Sequence, residues 1–201
     1  AITTGADNVA IGVNAGSVMT TNTNCVLVGN YAGDAINSTH AIGTVAVGYA
    51  AGGGITSGIG NTAVGMQALL TDDDGDFSTA IGFKALTAQT GTTGTVGNTA
   101  VGYQAGLSIT TATGTTAIGH DALGLCTTAE DNTVVGYNAA KNLAGSDNSG
   151  TSNTVIGAYA FDAAQTNERQ NVVIGKSAGG AINEAPSDDN VLIGYLAGLG
   201  G

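Results

Sequence analysis

Asn8-Val9-Ala10-Ile11-Gly12 returns in recognisable form ten more times before the chain ends. The later copies centre on Gly29, Gly48, Gly65, Gly82, Gly102, Gly119, Gly136, Gly157, Gly175 and Gly194. Successive glycines lie 17, 19, 17, 17, 20, 17, 17, 21, 18 and 19 residues apart. A short unit at near-constant spacing marks a solenoid, in which each copy forms one coil stacked on the last. Such chains build shafts and extended surfaces and rarely enzyme pockets.

With the glycine as position zero, comparison of the copies shows what each site tolerates. The residue before it is always Ile or Val, as in Ile11, Val101 and Ile193. Position −3 is always Val or Thr, and position −2 is always Ala, Val or Leu. Position +3 is Ala in every copy, from Ala15 to Ala197. A β-branched stretch ending in Gly predicts a short strand. Side chains alternate along a strand, so −3 and −1 share one face and −2 takes the other. Both faces are small and apolar, so both are expected to be covered: one inside the coil, the other by a second layer from this chain or a partner. A strand with one solvated face would show polar residues there. Stacked Ile/Val and Ala rows are expected to supply the dry core. The glycine suits a positive φ or a close approach of backbones, and the alanine a site too tight for more.

The linkers, such as Gly91-Thr92-Thr93-Gly94-Thr95 and Ser146-Asp147-Asn148-Ser149-Gly150, are turn-forming. The longest spacings follow Gly29, Gly82 and Gly136, which hints at a three-copy super-repeat. One coil per copy is the simpler reading. About 17 extended residues give a perimeter of about 55 Å, which side chains can fill. The expected fold is therefore all-β: a parallel β-solenoid of about eleven repeats, forming a single elongated domain over residues 1–201 without caps.

Asn61-Thr62-Ala63-Val64-Gly65-Met66-Gln67-Ala68 and Asn98-Thr99-Ala100-Val101-Gly102-Tyr103-Gln104-Ala105 carry a family resemblance. They resemble the head repeats of trimeric autotransporter adhesins. They are still more similar to the repeats of phage tail fibres and large bacterial surface proteins. The resemblance covers almost the whole chain and implies a parallel β-roll, often three chains around one axis, with an adhesive or structural role outside the cell. The period of 17 to 21 is longer than adhesin heads usually show. No heptad stalk, membrane anchor or self-cleaving chaperone domain is apparent in the sequence.

Four basic residues stand against 15 acidic ones, a net charge of −11. Nucleic acid is disfavoured, because phosphate binding needs a basic stripe. No apolar run is long enough to span a membrane. Only 9 % of residues are charged, so the surface is expected to be mostly neutral Thr, Ser, Asn and Gly, as is common outside cells. Asn37-Ser38-Thr39 is a glycosylation sequon. Cys25 and Cys126 fall at different repeat positions and are either a disulfide or two small buried hydrophobes.

The chain starts and stops in repeat sequence. Were one copy to abut the next, Gly194 to the following Gly12 would span 19 residues, within the internal range. Such a contact does not close and would produce a filament.

Chemistry-bearing motifs are few. Gly175-Lys176-Ser177 looks like the end of a phosphate loop, but Gln170 stands where that loop needs glycine. Asp72, Asp74 and Asp76 flank Gly75 and are the candidate calcium ligands, since hard cations favour carboxylates around a tight turn. An EF-hand is excluded because its twelfth position is Phe83. Glu130-Asp131 and Asp188-Asp189 are weaker acidic spots. His40 and His120 have no second ligand at metal spacing. His120 shares position +1 with Tyr49, Phe83, Tyr103, Tyr137 and Tyr195, a column that suggests a stacked row on one fibre edge or a platform for sugar rings. No catalytic constellation is supported, so an enzyme is not expected, and calcium is the sole cofactor candidate.

The expected role is a structural subunit of an extracellular filament or fibre shaft, assembling by end-to-end or lateral packing. The alternative is a trimeric tail fibre or autotransporter-type adhesin that binds a receptor or glycan.

Overall fold

A computed structural model describes residues 5–91, 94–143, 150–163, 168–182 and 188–199. Thr92, Thr93 and Ser146–Ser149 of the linkers lie outside the described residues. The fold is an all-β parallel solenoid, and no helix occurs among the described residues. The chain divides into two compact units, Ala1–Asn98 and Thr99–Gly201.

Unit 1 contains β1 (Val9–Ile11), β2 (Val26–Val28), β3 (Val45–Val47), β4 (Thr62–Val64), β5 (Gly75–Asp76), β6 (Thr79–Ile81) and β7 (Gly94–Thr95). Unit 2 contains β8 (Thr99–Val101), β9 (Thr116–Ile118), β10 (Thr133–Val135), β11 (Thr154–Ile156), β12 (Val172–Ile174) and β13 (Val191–Ile193). Each motif copy within a unit supplies one strand, which pairs in parallel with the strand of the next copy. Val45 faces Thr62 and Val47 faces Val64; Thr116 faces Thr133 and Ile118 faces Val135. One copy is therefore one coil, and the three-copy turn is not formed. The short β5 and β7 pair separately and make an extra corner in unit 1.

The repeat glycine satisfies both reasons for its presence. Its φ lies between 130° and 147° in all eleven copies. A Cβ at Gly119 would lie 2.4 Å from the carbonyl oxygen of Gly136, so only hydrogen lets successive coils meet there. Two residues on, every copy holds a non-glycine residue at positive φ, from Asn14 to Leu196. That left-handed conformation costs about 1–2 kcal/mol for an ordinary residue. Hydrogen bonds between coils hold it: Gln67 N–H donates to Tyr49 O at 2.9 Å, and Tyr159 N–H to Tyr137 O at 2.8 Å.

The core is built from four columns. Position −2 points inward: Leu27, Ala46, Ala63 and Ala80 in unit 1, and Ala100, Ala117, Val134, Val155 and Val173 in unit 2, are fully buried. The +3 alanines lie beside them, buried from Ala32 to Ala85 and from Ala105 to Ala178. Positions +4 and +7 supply the larger fill, as with Leu69, Leu86 and Ile55 in unit 1 and Leu123, Phe161, Ile109 and Leu143 in unit 2. Column sizes compensate. Where −2 is Leu27, position +4 is Gly33, and a Cβ there would lie 2.7 Å from Leu27 Cδ2. Where −2 is Ala63, position +4 is Leu69.

Position −4 is a polar seam inside the coil. In unit 2, Asn132, Asn153, Asn171 and Asn190 form a ladder. The Asn153 backbone and side-chain amides both donate to Asn132 Oδ1, at 2.9 and 3.1 Å. Asn171 repeats this on Asn153, and Asn190 on Asn171. Buried amides stacked this way satisfy one another and fix the register of the coils.

One expectation is corrected. The Ile/Val row at −1 is not part of the core. Strand alternation places it outward with −3, because the strictly inward position between them is −2. Ile81, Ile118 and Ile156 remain 38–40 % exposed, and Ile11 60 %.

Candidate functional site

The outward strand face is the main surface feature of each unit. Its −3 and −1 rows are Val26/Val28, Val45/Val47, Thr62/Val64 and Thr79/Ile81 in unit 1. In unit 2 they are Thr99/Val101, Thr116/Ile118, Thr133/Val135, Thr154/Ile156, Val172/Ile174 and Val191/Ile193. No charged side chain interrupts either row. The positions are half-buried or exposed, so the covering layer expected from the sequence is not supplied by the same unit. The face is uncharged throughout, with Ile or Val at −1 and Val or Thr at −3.

The +1 column adjoins this face. In unit 2, Tyr103 and His120 stack with centroids 4.7 Å apart and planes 21° apart. His120 and Tyr137 follow at 5.0 Å and 27°. Tyr159, from the neighbouring +2 position, closes on Tyr137 edge-to-face at 5.3 Å. Each such contact adds about 0.5–1.5 kcal/mol to area burial. The stacked row of the sequence reading is thus present here. It turns ring faces toward neighbouring rings, whereas a sugar platform needs a free face. Asp121 sits beneath the row, with Lys141 Nζ at 2.7 Å and His120 Nδ1 at 3.6 Å. The Lys141 side chain is about a third exposed, so the pair is worth less than about 1 kcal/mol.

The three candidate calcium ligands part company. Asp72 is fully buried; Gln89 Nε2 donates to its Oδ2 at 2.9 Å, and Gly75 N–H to its Oδ1 at 3.3 Å. Burial pushes the Asp72 carboxyl up to about 6, against the smaller downward effect of those hydrogen bonds. Asp74 and Asp76 instead line an open groove of about 330 Å³ with His40, Ser57, Ile59 and Gly94. Asp76 Oδ1 accepts the Ile59 N–H at 2.8 Å, which fixes that wall. Among the described residues, no three His, Cys, Asp or Glu side chains are arranged to hold a metal ion. His40 joins the two aspartates through the coil stack, over a sequence distance that no short motif would reveal.

The remaining candidates are quickly placed. Asn37 is exposed in a linker outside any strand. Asp188 Oδ1 accepts the Arg169 N–H at 2.8 Å. Cys25 and Cys126 are buried free thiols. Burial raises both, Cys126 to about 11. Among the described residues, no helix is long and apolar enough to cross a membrane. No family model, curated protein or solved structure matches this chain.

Proposed function

We propose that this chain is a structural segment of an extracellular fibre, with its outward strand faces covered laterally by further copies and its coils continued end to end. The observation that carries this reading is an inversion of the usual rule. Position −2, inside the coil, varies among Ala, Val and Leu. Position −1, outside it, is Ile or Val in all eleven copies. Strand propensity alone would also admit Thr, as −3 does, yet −1 never shows it. Uniformity at a half-exposed position supports a repeating contact outside the coil.

End-to-end continuation rests on the repeat itself: each strand pairs in parallel and in register with the matching strand of the neighbouring coil, a pairing that can be carried from one chain to the next. The second reading, a trimeric tail fibre or autotransporter-type adhesin that binds a receptor or glycan, is favoured by the outward face specifically. That face suits three chains packed about one axis.

Cryo-electron microscopy and sedimentation of the purified chain test both. Ile118→Asp places a charge on the outward face and should abolish lateral association; association unchanged in that variant would refute the proposal. Gly194→Ala should halt end-to-end growth while leaving a discrete, laterally associated species. Growth that survives it would refute end-to-end continuation through the β13 edge, whereas a discrete species of three chains in the unaltered protein would favour the trimer.

A further inference from the structure

The longest coil of each unit is bridged by two tyrosines. In unit 1 the repeat glycines lie 17, 19, 17 and 17 residues apart, and the longest step runs from Gly29 to Gly48. Tyr31 and Tyr49 meet across it, with centroids 6.0 Å apart and planes at 76°. In unit 2 the steps are 17, 17, 21, 18 and 19, and the longest runs from Gly136 to Gly157. Tyr137 and Tyr159 meet across that one, at 5.3 Å and 65°. Four of the chain's six tyrosines go into these two contacts.

Both pairs are built alike, from the +1 ring of one coil and the +2 ring of the adjacent coil. The coil that supplies the +2 ring has Asn30 or Ala158 at +1, so its tyrosine fills the place which the aromatic column leaves open there. In unit 2 the backbone fixes the pair, since Tyr159 N–H donates to Tyr137 O at 2.8 Å. All four rings are 38–49 % exposed, so a reagent can reach them and they keep fast side-chain motion. Tyr103 differs, because His120 stands between it and Tyr137 in the same row.

We propose that Tyr137 and Tyr159 are an oxidative cross-linking site, at which a one-electron oxidant of the haem-peroxidase class, acting with hydrogen peroxide, couples the two rings into dityrosine and staples the longest coil of unit 2. Tyr31 and Tyr49 are the wider-spaced counterpart in unit 1. Each phenol gives up one electron and its O–H proton and becomes a phenoxyl radical. The two radicals join through a carbon ortho to each oxygen, forming one C–C bond. Each joined carbon then releases its hydrogen as a proton while its oxygen regains one, which restores both rings. The pair has lost two electrons and two protons, and these reduce one peroxide to two waters. Edge-to-face rings must turn edge to edge to couple, a rotation that their exposure allows. A link that closes a loop of about 20 residues shifts the unfolding equilibrium by up to about a hundredfold. The inference rests on coil geometry and is independent of the fibre reading.

The dispersed full chain, treated with a haem peroxidase and hydrogen peroxide, tests this through dityrosine fluorescence and peptide mass mapping. Single chains should carry a peptide that joins residues 137 and 159 and is two hydrogens lighter than its separate parts, with a smaller yield joining 31 and 49. Tyr137→Phe keeps the ring and its packing but not the phenol. It should lose the first product and retain the second. In urea, the treated unaltered chain should unfold later than the treated variant, by up to about a hundredfold in the equilibrium. The proposal is overturned by the absence of coupling, by products found only between chains, or by coupling of Tyr103 and Tyr195 as readily as of the two pairs.

Discussion

Gly48→Ala and Gly43→Ala sit five residues apart in one coil of unit 1, and together they separate two costs that the repeat glycine combines. At Gly43, φ is +72° and nothing lies within 4 Å of the added methyl. The substitution there costs only left-handed backbone strain, about 1–2 kcal/mol. At Gly48, φ is +136°, where side chains are essentially excluded, so strain alone is about 1–3 kcal/mol. The new Cβ would also sit 2.7 Å from both the carbonyl carbon and oxygen of Gly65, about 1 Å inside normal contact. Relief requires the coils to part. That weakens the Gly65 N–H to Val47 O and Val45 N–H to Asn61 O bonds between them, at 2.8 and 2.9 Å, by about 1 kcal/mol each. The expected total for Gly48→Ala is about 3–5 kcal/mol, against about 1–2 kcal/mol for Gly43→Ala. Urea unfolding followed by far-ultraviolet circular dichroism measures both differences on the same unit. Equal losses would refute the close-approach argument and leave the glycine as a turn residue only.

Other expected outcomes follow from unit 2. Leu143→Ala removes a fully buried +7 side chain and should cost about 2–5 kcal/mol in urea unfolding, whereas Val135→Ala on the outward face should cost the isolated unit under about 1.5 kcal/mol. Asn153→Ala breaks the middle rung of the amide ladder: Asn132 Oδ1 keeps the backbone N–H of residue 153 but loses the Nδ2 donor, and the Asn171 backbone and side-chain amides both lose their acceptor. It should cost about 2–3 kcal/mol, more than Asn190→Ala at the partly exposed rung. Burial holds the Cys126 thiol up to about 11, so it should resist a thiol reagent at pH 8 until the chain is unfolded. Labelling of folded protein at the rate of a free thiol would contradict its burial.

The sequence made the strand positions legible because one period governs the chain. The β-branched stretch before each glycine became a strand, and the glycine and +3 alanine met the steric demands foreseen for them. The polar seam at −4 and the fill at +4 and +7 were harder to see. Gly33 and Leu69 share one column, and so do Ile36 and Asp72, because neighbouring columns trade volume and no position has to keep one residue type. The groove was invisible for another reason: His40 and Asp76 meet only because coils stack, so their proximity depends on the repeat length and not on a local motif. The Asp72–Asp76 cluster misled in the opposite way. Alternation alone would put 72, 74 and 76 on one side, but the bend at Asp73 and Asp74 breaks it, so that Asp72 enters the core while Asp74 and Asp76 line the groove.

Which strand face lies inside could not be settled by hydrophobicity, since −1 is the more apolar position and yet points out. Coil size decided it. An interior shared by the +3, +4 and +7 side chains leaves room at −2 for Ala in most copies and for Val or Leu only where +4 shrinks to glycine or alanine, as at Leu27 with Gly33 and Val134 with Ala140. Phe161 beside Val155 is the exception. It reaches into the next coil, where +4 is Gly179 and a Cβ would lie 3.0 Å from its Cδ2. A row of Ile and Val could not enter such a coil without overpacking it, at a cost of about 1–3 kcal/mol per copy. The bulkier row is therefore excluded from the interior by volume. Its persistence in every copy then needs a cause outside the coil, and the lateral contact proposed above would be one.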